Sequence, residues 1–247
     1  MKRVLIPALP TADKPIFLPE DEAHHLIQVL RVRNGEIIEA LDGKGAKMAT
    51  GVELLGKGKA QLHSQGPAIR DPKLLSLPVT LEMAVLKGDA MEWTVEKAVE
   101  LGVKTFVPVL CAHAVVQVDR KGPEFYQERW QKIADQALKQ CGRLERMEVQ
   151  APIALEVLLT QKRPLRLWAD EATRADAPHI FQALAKVDAK DRIAGVSILI
   201  GPEGGWSDSE RALLSRSGCV STSLGPWVYR AETAALFATS LVAASMR

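Results

Sequence analysis

The chain has 247 residues, 47% apolar and 25% charged, enough apolar surface for one large or two modest globular domains and too much for a disordered polymer. Its 32 Lys and Arg against 30 Asp and Glu leave a formal net charge of +2, so it is no polycation; a nucleic-acid surface, if present, is a local stripe. No apolar run reaches the roughly 18 residues of a membrane span, and three widely separated cysteines, Cys111, Cys141 and Cys219, without CxxC or HExxH, argue against a disulfide framework or structural zinc.

From the start of the chain, Met1-Lys2-Arg3-Val4-Leu5-Ile6-Pro7 lacks the long apolar stretch of a signal peptide, and a cytoplasmic location is expected. Val4–Ile6 and Pro15–Leu18 are short apolar runs. Residues Glu20 to Arg33 read as a helix with Ala23, Leu26, Ile27 and Leu30 on one face, ended by Asn34-Gly35. A strand over Glu36–Leu41, the turn Asp42-Gly43-Lys44-Gly45 and two more strands broken at Gly56 and Gly58 follow. Short strands with glycine turns predict a small β-barrel. Residues 66–78, with three prolines and no periodicity, mark a domain boundary.

After Val79 strands and helices alternate, which predicts an α/β domain with a mostly parallel sheet. Val79–Leu86 reads as a strand; Asp89, with Glu92 three residues on, is the predicted cap of a helix that Gly102 stops. Thr105–Leu110 is the next strand. Tyr126, Trp130, Ile133, Ala137 and Cys141 recur at helical spacing over Glu124–Cys141, with Gly142 as terminator. Leu165–Ala169, Val196–Ile200 and Val220–Leu224 are further strands, and helices are predicted around Asp208–Ser217 and Ala231–Met246.

Ligands of open α/β sheets bind beyond the carboxyl ends of strands. Three such ends carry chemistry: Ala169-Asp170-Glu171, Ile200-Gly201-Pro202-Glu203-Gly204-Gly205-Trp206, and Leu224-Gly225-Pro226 leading to Trp227-Val228-Tyr229-Arg230. Gly201, Gly204 and Gly205 permit close backbone approach, and Ser207 with Glu210 forms a capping box. Taken alone, the glycine stretch is equally well a tight turn, and acids such as Asp170 and Glu171 are more often solvated loop residues than functional ones. Neither a P-loop nor a GxGxxG fingerprint is present, so a nucleoside held by main chain suits the loops better than a polyphosphate.

These segments, together with His24-His25-Leu26-Ile27-Gln28-Val29-Leu30-Arg31, Lys87-Gly88-Asp89, Glu96–Val103, Arg129–Ile133, Gln140–Arg143 and Arg230-Ala231-Glu232-Thr233-Ala234, resemble the RsmE family of 16S ribosomal RNA uridine-N3 methyltransferases in the SPOUT superfamily. The resemblance runs along nearly the whole chain. It implies a PUA-like RNA-binding β-barrel over residues 1–72 and a trefoil-knotted α/β methyltransferase domain over 73–247. It further implies a homodimer acting on 16S rRNA or the 30S subunit, with no metal and no membrane.

S-adenosyl-L-methionine is then expected against Ile200, Gly201, Pro202, Glu203, Gly204 and Gly205 of one loop. Ser223, Leu224, Gly225, Val228 and Arg230 of the second loop join them, with Thr233 and Ala234 at the head of the last helix and Glu171 at an earlier strand end. The family pattern more often has Arg and Leu at the positions of Trp227 and Tyr229, which leaves open what residue 227 contacts. N3 of uracil carries a proton and lies on the pairing edge, so the base must be unpaired and its developing anion stabilised by cations. Arg143 and Arg230 are the candidates, with Glu232 either orienting an arginine, acting as base, or serving as a helix-start acid. Arg3, Arg31, Arg33 and Lys87 are the expected RNA contacts. Trp206 and Trp227 are open to base stacking or to core packing. Two rivals remain open here: an RNA-binding protein without activity, and an oxidoreductase using the same α/β pocket.

Overall fold

Val4, Ile38, Ala40, Val52, Ala60 and Leu62 sit at inward positions of short strands, and with Ala23 and Leu26 of a helix they make one buried core. In the computed structural model, which describes residues 1–74, 76–114, 121–173, 176–188 and 194–246, that core belongs to the first of two compact units. This unit is Met1–Leu75 with Leu138–Arg146, and the second is Ser76–Ala137 with Met147–Arg247. The first unit contains β1 (Arg3–Leu5), β2 (Ile16–Phe17), β3 (Ile37–Leu41), β4 (Lys47–Gly56) and β5 (Lys59–Ser64). They form a sheet in the order β1-β3-β4-β5-β2, parallel in its first pair and antiparallel elsewhere.

The helix predicted over Glu20–Arg33 is shorter and of two kinds. An α-helical turn, α1 (Glu20–His24), passes into π-helical His25–Val29, where the Leu30 N–H reaches back to the His25 carbonyl at 3.0 Å. Arg31 then takes a left-handed φ of 48°, which ends the helix before Arg33. Asn34 Oδ1 accepts from the Leu54 N–H at 2.7 Å and the Gly35 N–H donates to the Val52 carbonyl at 2.7 Å, so the next residues are already held by the sheet.

In the second unit the apolar runs become β6 (Val79–Ala84), β7 (Thr105–Leu110), β8 (Glu148–Val149), β9 (Ile153–Ala154), β10 (Leu165–Ala169), β11 (Val196–Ile200) and β12 (Val220–Thr222). The order is β12-β10-β11-β6-β7-β8, with β9 also beside β7, and every pairing is parallel. The helices are α2 (Asp89–Glu100), α3 (Pro123–Cys141, whose last residues from Leu138 belong to the first unit), α4 (Leu155–Thr160), α5 (Ile180–Ala185), α6 (Asp208–Arg216) and α7 (Ala231–Ser245). Burial on both faces explains the near-continuous apolar strands. On one face Val107, Val109, Leu158, Trp168, Leu199, Trp206 and Leu214 pack together; α7 covers β11 and β6 beside α2 and α5.

The start of α2 differs from expectation. Gly88, at φ 60° and ψ −135°, occupies the cap position, and Asp89 is already inside the first turn. Its carboxylate contributes there through the helix dipole, not as a cap. Glu82, fully buried in β6, is held by Arg166 of β10 in a two-pronged pair (Nε–Oε2 2.7 Å, Nη2–Oε1 3.0 Å) and by Arg163 at 3.3 Å. Such pairing offsets the large cost of burying a carboxylate. Among the described residues no helix is long and apolar enough to cross a membrane, and no cluster of side chains could hold a metal ion.

Candidate active site

Parallel register sets the site. Ala169 of β10 lies opposite both Ile200 of β11 and Thr222 of β12, so three adjacent strands end at one level and release their loops together. The loops enclose a cavity of about 410 Å3, within the usual size range of small-molecule sites. Glu171, Ile200, Gly201, Pro202, Glu203, Gly204, Leu224, Gly225, Val228, Arg230 and Ala234 line it, eleven of the fourteen residues expected at the cofactor.

The first loop doubles back on itself. Trp206 is 2% exposed, its indole Nε1 donating to the Ala169 carbonyl at 3.0 Å, and its ring lies where a side chain at Gly201 would begin, 2.8 Å from the Cβ position. Trp206 is therefore core, 6.3 Å from the Trp168 ring, and not a base-stacking group. Gly205 takes a φ of 71° and its N–H closes a turn onto the Pro202 carbonyl at 2.9 Å. His113 Nδ1 lies 3.2 Å from the Gly204 carbonyl and 3.0 Å from that of Gly205.

The capping box read from the sequence starts α6: Ser207 Oγ accepts from the Glu210 N–H, and the Glu210 carboxylate accepts from the Ser207 N–H at 2.8 Å. Glu210 also accepts from the Ala112 N–H at 2.8 Å, tying the glycine loop to the end of β7. Nearby, burial pushes the Cys111 thiol well above its ordinary range, with Glu210 and Glu156 adding to the shift. Burial raises Cys219 likewise, while Cys141 at the end of α3 is exposed.

Asp170 is not a solvated acid. It is 3% exposed and bound in two places by Arg211 of α6 (Nε–Oδ2 2.9 Å, Nη2–Oδ1 3.3 Å), which holds that guanidinium above its ordinary range. In the second loop the Ser223 hydroxyl accepts from the Gly225 N–H at 3.2 Å, and Gly225 has a φ of 124°. Tyr229 folds back with its ring 5.5 Å from that of Phe237. Arg230 is the cap residue of α7, exposed at the cavity wall.

The remaining expected residues fall elsewhere. Gly205 and Ser223 shape the loops behind the wall; exposed Thr233 and half-buried Glu232 sit in the first turn of α7, outside the lining. Arg143 belongs to the first unit, 6% exposed, and burial lowers its guanidinium to about 10. Arg31, Arg33 and Lys87 are exposed. Arg3, expected as a phosphate contact, has partners within the first unit: its Nε binds Glu39 at 2.8 Å and its Nη1 donates to the Lys139 and Gln140 carbonyls at 2.9 Å each, at the end of α3. Ala169, Asp170, Thr222, Trp227, Tyr229 and Ala231 also line the cavity. Of these, Thr222 alone lay outside the segments singled out in the sequence, because a strand residue facing a cavity has no period to betray it.

Comparison with known proteins agrees with this geometry. A family model described as an RNA methyltransferase domain matches residues 73–243, and one described as an RNA methyltransferase PUA domain matches residues 18–62. Ribosomal RNA small subunit methyltransferase E of Synechocystis sp. is 31% identical over 220 residues, covering 89% of this chain and 69% of that protein. The chain belongs to the ribosomal RNA small subunit methyltransferase E family. The structure of the family member from Neisseria gonorrhoeae, bound to S-adenosyl methionine, superposes with a TM-score of 0.84 at 29% identity, covering 97% of this chain and 96% of that one. A putative methyltransferase from Legionella pneumophila, with SAM bound, gives a TM-score of 0.88 at 27% identity, covering 98% and 97%. Both family models fit the folds found here: a small mixed sheet first, then a parallel α/β sheet.

Proposed function

We propose that this protein transfers a methyl group from S-adenosyl-L-methionine to N3 of a uridine in the 16S rRNA of the small ribosomal subunit. The observation that carries the reading is the three-loop cavity at the aligned ends of β10, β11 and β12 in a member of this methyltransferase family. Residues 1–72 serve as the RNA-binding domain and residues 73–247 as the catalytic domain. The protein works as a cytoplasmic homodimer. The sheet order with α7 lodged against α2, α5, β11 and β6 supports the trefoil threading that the SPOUT resemblance implies.

The cavity suits the methyl donor. A Cβ at Gly204 would stand 3.0 Å from His113 Cβ and one at Gly201 would strike the Trp206 ring, so a side chain at either position would displace the loop that walls the cavity. Ile200, Gly201, Gly204, Leu224, Gly225 and Val228 would hold the cofactor, whose sulfonium supplies an electrophilic methyl group. In the transfer the bond from carbon to N3 forms as the carbon–sulfur bond breaks, and the N3 proton leaves to solvent or a base. Arg230, exposed on the cavity wall, stabilises charge developing on the uracil oxygens. Glu232, two residues on, orients it or takes the proton. Arg143 enters the proposal as a second cation, and Arg31, Arg33 and Lys87 as phosphate contacts.

The test is methyl transfer to 30S particles followed by nucleoside mass spectrometry. One new N3-methyluridine per 16S rRNA is expected; a methyl group on any other atom would refute the assignment. Gly204→Val is expected to abolish cofactor binding in a folded protein, and normal affinity on titration would remove the glycine loop from the site.

A further inference from the structure

Of the residues that line the cavity, only Trp227 and Tyr229 have aromatic faces. Tyr229 is already engaged, its ring packed near Phe237 and its hydroxyl 3.8 Å from the Cβ position of Gly225. Trp227 is 72% exposed and, among the described residues, pairs with no other ring. The neighbouring tryptophans of the same sheet end, Trp168 and Trp206, are 3% and 2% exposed. A bare indole at the rim of a cavity is costly to leave in water, since tryptophan carries one of the largest apolar surfaces of any side chain. Val228 beside it, 65% exposed, extends the apolar rim.

Resting on the function proposed above, we infer that Trp227 is the platform on which the target uracil stacks. The acceptor atom imposes this form of grip. N3 lies between O2 and O4 on one edge of a flat ring, and that edge must stay open to meet the methyl group. A base held by its edge is blocked; a base held by its face is presented. Stacking on an indole grips the face alone and asks nothing of sequence. The occupant is thus a single unpaired uracil of the RNA, while the glycine loops keep the cofactor.

The full-length protein, Trp227→Phe and Trp227→Ala are compared for kcat and KM on 30S particles and for S-adenosylmethionine affinity by calorimetry. Trp227→Ala is expected to raise the RNA KM by about tenfold or more, with cofactor affinity changed less than about twofold and Trp227→Phe within about threefold of wild type. A short uridine-containing single strand, added with S-adenosylhomocysteine, should quench wild-type tryptophan emission and quench Trp227→Phe much less. An unchanged RNA KM in Trp227→Ala overturns the inference, as does a loss of cofactor affinity matching the loss for RNA. A sedimentation shift of Trp227→Ala to monomer, with no RNA-dependent quenching in wild type, would assign the indole to a subunit contact and also overturn it. If wild type itself leaves 16S rRNA unmethylated, the functional reading fails first; if wild type is active and the variants match it, only the role of Trp227 fails.

Discussion

Glu39 and Glu82 are both carboxylates removed from water, and their partners decide how each behaves. Glu39 is 6% exposed; burial raises its pKa, but hydrogen bonds from Lys47 and Arg3 outweigh burial and hold it below its ordinary 4.5. A carboxyl depressed in the fold contributes stability that is present above its unfolded pKa and lost as pH falls through the folded one. Urea midpoints should therefore drop as pH falls below about 4.5, and Glu39→Gln should flatten that dependence while lowering the midpoint at neutral pH. An identical acid dependence in wild type and variant would rule the group out. Residues of this kind were the least legible in the sequence. Arg3 finds its carbonyl partners at Lys139 and Gln140, and Arg211 finds Asp170, both far along the chain. Isolated charges in a sequence look like solvated surface until the fold supplies a partner. Gly201 was legible as a glycine that matters, but not for its reason, the Trp206 ring above it.

Elements were read best where local chemistry decides them. The Ser207–Glu210 box signals its helix within four residues, and α6 begins where it says. Ser207→Ala should cost about 1 kcal/mol of stability and weaken cofactor binding, because the cap fixes the loop that Gly204 and Gly205 turn; chemical denaturation and titration would check both. A variant with unaltered affinity would separate cap from loop. β7, β10 and β11 match their predicted spans because each is an apolar run bounded by breakers. β8 and β9, two residues each, have no period to detect, and α4 and α5, six residues each, span too few turns for one. The π-helical stretch after α1 has normal helical spacing in the sequence; only the left-handed Arg31 and the pull of β4 shorten it.

For the molecule as a whole, alternation of strands and helices made the α/β class legible, whereas the order β12-β10-β11-β6-β7-β8 was not, since crossovers leave no trace in local periodicity. Two compact units, with the cavity lined by residues of the second alone, carry a thermodynamic expectation. S-adenosylmethionine at a hundred times its Kd should stabilise that unit by about 2.7 kcal/mol, raising its transition by roughly 5–10 °C, with no such gain in Gly204→Val. Scanning calorimetry that finds no shift in wild type would count against the cofactor. The three cysteines add something practical. Burial holds the Cys111 and Cys219 thiols in their unreactive protonated form, while Cys141 stands exposed at the end of α3. A maleimide dye should thus react first at Cys141, giving a fluorescent reporter on the native chain.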